Sequence, residues 1–333
     1  MITVAILGGG FMGTAHAANY KALGKRVRVK TIASRNGERA APVAESVGAA
    51  VTDDLDATIR DPDVDAVDIC LPTPLHRDYA ERALTAGKSV FLEKPIALTG
   101  EDADAIVAAA SRTDAVFMVG MVLRFWPEYV ALQALVEAGT LGQPRAVSTF
   151  RLSPPADWND WMADPSQSGG TAVDLLIHDL DQMNWLLGAP RSVYASEPAP
   201  GHVHAVVEYD DAGGIAEASM SMPRSYPFSS SIRVLCDGGV AEYGFSAVTV
   251  EGEGNIGASS SARGLRVYPA GGEPETLAVE SADPWGPELE EFVACVEDGR
   301  QPVQGTGEQA RLALHTALAA ARSLESGEPE AVP

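Results

Sequence analysis

The N-terminal strand and glycine cluster constrain the fold more than any other part of the chain. The sequence begins MITVAILGGGFMGT, so that an apolar β-branched run leads directly into glycines, and the next segment, AHAANYKAL, is compatible with a helix. Gly8 permits a sharp turn, Gly10 lets the backbone approach a pyrophosphate, and Gly13 lets the helix pack close to the strand. N–H groups at the helix start, around Phe11 and Met12, then hold phosphates. The order of strand, turn and helix predicts a binding site for NAD or NADP.

Length and charge limit the architecture and the partners. A chain of 333 residues suits two domains, each able to bury a core. Its 24 Lys and Arg against 46 Asp and Glu give a net charge of −22, which repels nucleic acids and anionic membranes. We therefore expect a small neutral or weakly charged partner, with neither nucleic acid nor membrane.

The cysteine pattern and the first strand bear on the compartment. Cys70, Cys236 and Cys295 lie far apart without a C-x-x-C pair, which predicts buried thiols in a reducing compartment rather than disulfides. The first strand starts at residue 2 and leaves no room for a signal peptide. We expect a cytoplasmic protein.

The hydrophobic pattern changes character part-way along the chain. Residues 1–124 alternate short β runs with alanine-rich helical segments, which predicts a doubly wound parallel sheet, the Rossmann domain. Residues 125–333 show strands in succession, interrupted by a helix at about 171–187 and closed by helices near 286–298 and 306–325. This part predicts an α+β domain with a mostly antiparallel open sheet, for substrate binding and oligomerisation.

The end of the second strand bears on the choice of dinucleotide. Ser34 and Arg35 stand where an NAD site would carry an acidic residue, about twenty residues beyond the glycines. A carboxylate there would bond the ribose 2′-OH and repel a 2′-phosphate, whereas a hydroxyl and a guanidinium can both bond that phosphate. The sequence favours NADP over NAD, unless Arg35 is only solvated or stacks on adenine.

Candidate cofactor residues follow two further strands at the sheet edge where ligands bind. They are Leu71, Pro72, Thr73 and His76 after one strand, and Glu93 and Lys94 after the next. We expect them to contact the cofactor, although capping of the following helix explains Thr73 and His76 equally well. A lysine such as Lys94 can be desolvated beside a reacting hydroxyl group.

The segment SGGTAVDLLIHDLDQMNWLLG carries a polar stripe on a predicted helix. Asp174, His178 and Asp181 recur at i, i+4 and i+7, and therefore share one face. An aspartate four residues before a histidine can hold the imidazole and stabilise its protonated form, which suits a general base. Taken alone, such a stripe is more typical of a solvated polar face.

The order of these motifs resembles that of the Gfo/Idh/MocA oxidoreductase family over essentially the whole chain. The matching motifs are GGGFMG, PTPLH, EKP, SGG followed by D-x-x-x-H-D-x-D, WLLG and the closing PELEEFVACVEDGRQPVQGTGEQARLAL. The resemblance implies that Lys94, Asp174 and His178 form the catalytic group, with a cis peptide bond before Pro95. It also implies a homodimer or homotetramer, in which the uncovered sheet face packs against another copy.

Further substrate residues follow from the same resemblance. The H-D-x-D arrangement is similar to that of inositol 2-dehydrogenases, which makes Asp181 a polyol ligand. The segment VGMVLRFWP resembles the family's linker strand, which brings Arg124 towards nicotinamide or substrate. Trp158 and Trp161, in a stretch that departs from the family pattern, suit either stacking on a sugar ring or loop packing.

Two features stand outside the family motifs. His202 and His204 alternate on a strand like a metal pair, but the sequence shows no third ligand, so we expect no metal. The Gly/Ser-rich stretch at 252–264 predicts a hairpin loop.

These observations predict an NAD(P)-dependent oxidoreductase that transfers a hydride between nicotinamide and a secondary alcohol of a sugar, inositol or related polyol. His178 would take the hydroxyl proton, Asp174 would orient His178, and Lys94 would hydrogen-bond the reacting oxygen. Two alternatives stay open: an NAD-dependent glycosidase of the same fold, and a non-catalytic nucleotide-sensing regulator.

Overall fold

A computed structural model describes residues 1–155, 160–247, 263–279 and 283–333. The elements of the N-terminal half are, in chain order, β1 (Ile2–Leu7), α1 (Phe11–Ala22), β2 (Val27–Ala33), α2 (Gly37–Val47), β3 (Ala50–Thr52), α3 (Leu55–Arg60), β4 (Ala66–Ile69), α4 (His76–Thr85), β5 (Ser89–Glu93), α5 (Gly100–Ala110), β6 (Phe117–Gly120), α6 (Pro127–Glu137) and β7 (Pro144–Leu152).

The remaining elements include the longest helix, α10, of 20 residues. In chain order they are α7 (Pro165–Ser168), α8 (Ile177–Leu187), β8 (Ser192–Ala199), β9 (His202–Glu208), β10 (Gly213–Ser219), β11 (Phe228–Cys236), β12 (Gly239–Ala247), β13 (Arg263–Pro269), β14 (Glu275–Leu277), α9 (Gly286–Asp298), α10 (Gly307–Ser326) and β15 (Glu330–Ala331). In the parts of the chain that the structure describes, no helix combines the length and the apolar character needed to cross a bilayer.

Internal contacts divide the chain into two compact units. The first unit comprises residues 1–122 and 283–311, and the second comprises 123–282 and 312–333. This division differs from the predicted domains at residues 283–311, which the sequence placed with the C-terminal part. The difference arises because α9 packs against α1 and β1 of the first unit.

The first unit is built on a six-stranded sheet in the order β3-β2-β1-β4-β5-β6, in which all neighbouring strands are parallel. Every residue of β4 and β5 is buried, as expected for strands covered on both faces. Helix α1 packs with α2 and α9, whereas α4 packs with α3 and α5. The predicted doubly wound Rossmann fold is confirmed, and the reversal of strand order falls between β1 and β4, where such sheets bind ligands.

The second unit is built on a nine-stranded sheet in the order β14-β13-β12-β11-β7-β10-β9-β8-β15. Only the pair β7 and β10 is parallel among the described strands of this sheet. Helix α8 packs on β7 and β10, and α6 packs on β12 and β13. Along β9 buried residues alternate with more exposed ones, as a sheet covered on one face requires. The predicted α+β domain with a mostly antiparallel sheet is confirmed.

Two predictions from the sequence fall largely on residues that the structure does not describe. Trp158 lies outside the described residues, so the stacking prediction stays a prediction. The loop predicted at 252–264 also lies outside them, except for its last two residues, which begin β13.

Candidate functional site

The glycine turn at the carboxyl end of β1 has a geometry that only glycine satisfies at two positions. Gly8 has a φ of +114°, and a Cβ there would lie 2.3 Å from the carbonyl oxygen of Cys70. A Cβ on Gly13 would lie 2.1 Å from the carbonyl oxygen of Gly8. The first position therefore allows the turn to pass β4, and the second allows α1 to pack against the turn, as the sequence predicted.

Gly10 borders open space and has no close neighbours that would exclude a side chain. The nearest atom to a Cβ on Gly10 would be Nη2 of Arg39, at 3.8 Å. A side chain there would fill the space above the first turn of α1, where the N–H groups have no acceptor within the helix. A depression beside the turn is lined by Gly9, Gly10, Phe11, Thr14, Arg39, Pro42, Val43 and Ser46. These residues fit a dinucleotide pyrophosphate, and Arg39 is a cationic neighbour that the sequence analysis missed.

Three expected cofactor residues near this turn have defined surroundings. The Phe11 ring makes an edge contact with Trp285, at 5.9 Å between ring centroids, so at least one side of Phe11 packs on protein. Ser34 donates its backbone N–H to Thr52, and its hydroxyl group lies 3.3 Å from the backbone N of Asn36. Arg35 follows directly and is exposed, so its guanidinium is accessible to a ligand.

His76 connects two loops at the same edge of the sheet. Its Nδ1 lies 2.9 Å from the carbonyl oxygen of Pro95, and its Nε2 lies 2.9 Å from that of Leu71. The ring is fully buried, and burial lowers the pKa of His76. A neutral ring carries one N–H and therefore donates to only one of these two carbonyl oxygens, whereas Thr73 is buried in the first turn after Pro72.

The Glu93-Lys94-Pro95 motif ends β5 at the carboxyl edge of the sheet. The peptide bond between Lys94 and Pro95 is cis, which confirms the prediction. Glu93 is buried, and its Oε2 accepts the backbone N–H of Lys94 at 3.1 Å. Its Oε1 lies 3.2 Å from Nε2 of His16, which is fully buried in α1. The side chain of Glu93 is therefore directed into the protein, and the half-buried Lys94 is the more accessible of the two.

A buried polar cluster lies beneath this motif, and the sequence analysis missed it. His16 Nδ1 lies 2.9 Å from Asp68 on β4. Burial acts to lower the pKa of His16, but its neighbours, Asp68 foremost, outweigh burial and raise that pKa well above its usual value. Burial, and secondarily the charge of Glu93, raises the pKa of Glu288 on α9 well above its usual range. Asp68, inside the apolar run VDAVDIC, was the available signal, because a charge in a buried strand needs a partner.

In the second unit, the SGG motif sets the start of the helix that carries the D-x-x-x-H motif. Gly169 has a φ of +77°, and a Cβ there would lie 2.5 Å from Cβ of Val173. Residues Thr171–Leu175 then form a π-helical turn, in which the N–H of Leu176 bonds to the carbonyl of Thr171 at 2.9 Å. The predicted helix at 171–187 is therefore a π turn that continues into α8, and such turns occur frequently at functional sites.

The polar stripe is not a solvated face. Asp174 is only 5% exposed within the π turn, and Asp181 is 1% exposed within α8. His178, in the first turn of α8, is half-buried. Because burying an ionisable group costs free energy unless it is paired, the two buried aspartates require polar or charged partners.

Asp181 and Arg124 form a buried ion pair. Arg124 Nη2 lies 2.7 Å from Asp181 Oδ1, and Arg124 Nε lies 2.9 Å from Oδ2. The guanidinium also lies over the Trp185 ring, at 5.1 Å from its centroid. Burial raises the pKa of Asp181, whereas the charge of Arg124 favours the carboxylate form. The structure therefore pairs two residues that the sequence had assigned to the substrate, Arg124 being assigned to the cofactor as well.

A second buried pair on the same helix was missed. Asp179 Oδ2 accepts a hydrogen bond from Arg151 Nε of β7 at 2.8 Å, and both side chains are almost fully buried. Burial raises the pKa of Asp179, and Arg151 opposes this shift. The two aspartates of the H-D-x-D motif are thus each held by an arginine from another element, which helical spacing alone cannot reveal.

Comparisons with known proteins agree with this geometry. A model described as an oxidoreductase family with an NAD-binding Rossmann fold matches residues 2–121, and a GFO/IDH/MocA C-terminal domain model matches residues 129–242. An inositol 2-dehydrogenase of Rhizobium meliloti (strain 1021) is 30% identical over 333 residues, covering 96% of each protein. The chain belongs to the Gfo/Idh/MocA family.

Other members and solved structures extend the comparison. A scyllo-inositol 2-dehydrogenase (NAD(+)) of Bacillus subtilis (strain 168) is 26% identical and covers 98% of this chain and 95% of its own. The crystal structure of a putative myo-inositol dehydrogenase from Sinorhizobium meliloti 1021 has a TM-score of 0.80, with 26% identity and full coverage of both chains. Levoglucosan dehydrogenase in complex with NADH and L-sorbose, at 23% identity and a TM-score of 0.82, shares the fold over 100% of this chain and 99% of its own.

Proposed function

We propose that this family member is an NAD(P)-dependent oxidoreductase that acts on a secondary alcohol of a sugar, inositol or related polyol. One observation carries the proposal: the glycine turn after β1, the Leu71–Thr73 loop after β4 and Lys94 after β5 all follow the carboxyl ends of neighbouring parallel strands. In open α/β sheets this edge binds the ligand. The inositol dehydrogenase relatives support the choice of substrate class.

The catalytic roles proposed for three residues follow from their chemistry. His178 takes the proton of the reacting hydroxyl group, because imidazole is the side chain most often used as a general base. Asp174 orients His178 and favours its protonated form, and Lys94 donates a hydrogen bond to the reacting oxygen. Bound nicotinamide supplies the hydride acceptor or donor. These assignments rest on the match to the D-x-x-x-H and EKP motifs.

The buried contacts support positioning roles for other predicted site residues. We propose that Arg124 and Asp181 fix the start of the second unit against α8, since each already binds the other through two hydrogen bonds. His76 packs between the loops of Leu71 and Pro95 and donates a hydrogen bond to one of their two carbonyl oxygens. Direct contact of Asp181 with a polyol would use the lone pairs that Arg124 leaves.

For the dinucleotide, we propose NADP in preference to NAD. The exposed Arg35 after β2 and Arg39 beside the glycine turn supply positive charge, and no carboxylate stands at Ser34 to repel a 2′-phosphate. We also propose a cytoplasmic homo-oligomer, since the three cysteines are free thiols and one sheet face carries exposed apolar residues.

The test is a panel of sugars and inositols with NAD⁺ and NADP⁺, read by the absorbance of reduced nicotinamide. We expect turnover on at least one polyol, and losses of about 10²- to 10⁴-fold for His178→Ala and Lys94→Ala, the range for a lost acid or base. His315→Ala and Lys25→Ala, which remove the same side chains elsewhere, should retain turnover. Near-normal turnover in the His178 variant contradicts the mechanism.

The two alternatives give different outcomes in the same assay. Glycoside cleavage without net formation of reduced nicotinamide, with cofactor retained through purification, indicates an NAD-dependent glycosidase. Cofactor binding without turnover on any substrate indicates a nucleotide-sensing regulator.

A further inference from the structure

The exposed face of the second sheet carries two histidines and a carboxylate side by side. His202 and His204 are on β9, and the antiparallel register places Glu217 of β10 directly opposite His204. His202 lies two residues along the same strand and therefore on the same face. The third residue that the sequence did not reveal is thus supplied by the neighbouring strand.

The three side chains already lie close together. His202 Nε2 is 2.9 Å from Glu217 Oε1, and the two imidazole rings are 5.1 Å apart at their centroids. One nitrogen or oxygen from each of the three residues lies within 4.8 Å of the others. Around a tetrahedral zinc ion, bond lengths of about 2.0–2.2 Å separate such atoms by roughly 3.3 Å. Small side-chain rotations would bring all three to that spacing.

The donor set selects a class of metal. Two imidazoles with one carboxylate are ligands that zinc favours, usually with water in the fourth position. Magnesium and calcium prefer all-oxygen sites. In the single chain, side-chain exposures of 22% for His202 and 40% for Glu217 leave a path for the ion, and the net charge of −22 attracts cations. Because this sheet face is also the one expected to pack against another copy, the ion would bind beside Val206 at that interface.

We propose that His202, His204 and Glu217 bind a divalent transition-metal ion of the zinc type, with water completing its coordination. Two hydrogen-bonded strands hold the three Cα positions, so the site is ordered by the sheet before the ion arrives. The site does not depend on the proposed catalytic chemistry. The other groups of metal-ligand type among the described residues both include His16, which is fully buried.

The experiment is calorimetric titration of the full chain, freed of metal by a chelator, with zinc chloride. We expect one zinc ion per chain, and His204→Asn and Glu217→Gln should each weaken binding by more than about tenfold, a loss seen even for outer-shell partners of metal sites. Glu208→Gln, which removes a carboxylate from the same face of β9, should bind zinc like the unmodified chain.

Cobalt gives a geometric readout at the same site. Tetrahedral Co²⁺ should produce intense visible absorption that zinc displaces and magnesium does not, and the two ligand variants should lose it. Absence of zinc binding by the unmodified chain overturns the proposal, leaving an ordinary ion pair between His202 and Glu217. Equal zinc binding by both ligand variants also overturns it, because the ion would then be held elsewhere.

Discussion

Glu288 is an ionisable side chain in an unusual environment in the first unit. It is fully buried on α9, and neither carboxylate oxygen has a hydrogen-bond partner among the described residues. Burial, and then the charge of Glu93, raises the pKa of its carboxyl group. An acid with a raised pKa in the folded state stays protonated there. As the pH rises, the same group ionises in the unfolded chain, and the free energy of unfolding falls.

This protonation state predicts a pH-dependent effect of Glu288→Gln. The stability contributed by neutral Glu288 is complete below the pKa of the unfolded chain, about 4.3, and declines by about 1.4 kcal/mol per pH unit above it until the folded pKa is reached. Glutamine does not ionise, so this decline is absent from the variant. The unfolding free energy of the variant should therefore increase relative to that of the unmodified chain as the pH rises.

Urea unfolding at several pH values between about 6 and 8 measures the difference in unfolding free energy. Glu290→Gln, on the exposed part of the same helix, controls for the amide substitution. If the difference between Glu288→Gln and the unmodified chain did not change with pH, the carboxyl group would be ionised in the folded protein.

Arg35 is the residue on which the choice of dinucleotide depends. A hydrogen bond to a charged phosphate contributes about 1.5–3 kcal/mol, or roughly tenfold or more in affinity. NADPH should therefore bind more tightly than NADH, and Arg35→Ala should abolish the difference while leaving NADH affinity unchanged. Fluorescence titration of both cofactors measures it, with Arg60→Ala, an exposed arginine at the end of α3, as the control. Equal affinities in the unmodified chain would contradict the preference.

At the scale of elements, local pattern was sufficient for the regular strands and helices. Alternating and continuous apolar runs predicted both sheets. A strand buried on one face alternates apolar and polar residues, and a strand buried on both faces is apolar throughout. The π turn at Thr171–Leu175 was not predictable, since one extra residue in a helical turn leaves the apolar periodicity nearly unchanged. The placement of α9 was not predictable either, because its amphipathic pattern does not specify which unit it covers.

The same distinction explains which site residues were found. Gly8 and Gly13 are predictable from the sequence, because glycine is required there by a backbone conformation or a close approach within one motif. The partners Arg151 and Glu217 are not predictable from the sequence. Arg151 contacts Asp179 only through tertiary packing, and Glu217 lies opposite His204 only because of the strand register. The motifs are therefore predictable from the sequence, whereas the pairings depend on the tertiary structure.

Gly169 tests whether the π turn depends on the SGG motif. Gly169→Ala combines a left-handed φ of +77° with a Cβ contact of 2.5 Å to Val173. Gly139→Ala has a comparable φ of +67° but open space around the added Cβ. The conformational penalty of about 1–2 kcal/mol is common to both, and overpacking should add about 1–3 kcal/mol for Gly169 alone.

Urea unfolding free energies of the two glycine variants measure this difference. The Gly169 variant should also lose turnover, because Asp174 lies in the displaced turn. Equal destabilisation of both variants would show that the contact with Val173 relaxes freely and that the motif serves only the backbone turn.

At the scale of the whole molecule, the second sheet presents an apolar row to its surface. Tyr194, Val206 and Ile215 are 42%, 47% and 55% exposed, and strand register aligns them across β8, β9 and β10. Large apolar side chains gathered on one surface are characteristic of an interaction site, and a sheet face can pair with its own copy about a two-fold axis. We therefore expect the chain to be a dimer or tetramer.

The double substitution Val206→Lys with Ile215→Glu tests this expectation without removing the cross-strand pair. The introduced lysine and glutamate lie directly opposite each other on β9 and β10, so a favourable cross-strand contact replaces the apolar one while the apolar surface is lost. Light scattering at micromolar concentration should show an oligomer for the unmodified chain and a monomer for the double variant. Val303→Lys, which changes a valine that is 73% exposed in the first unit, should remain oligomeric. A monomeric unmodified chain would contradict the prediction, whereas an oligomeric double variant would place the interface on another surface.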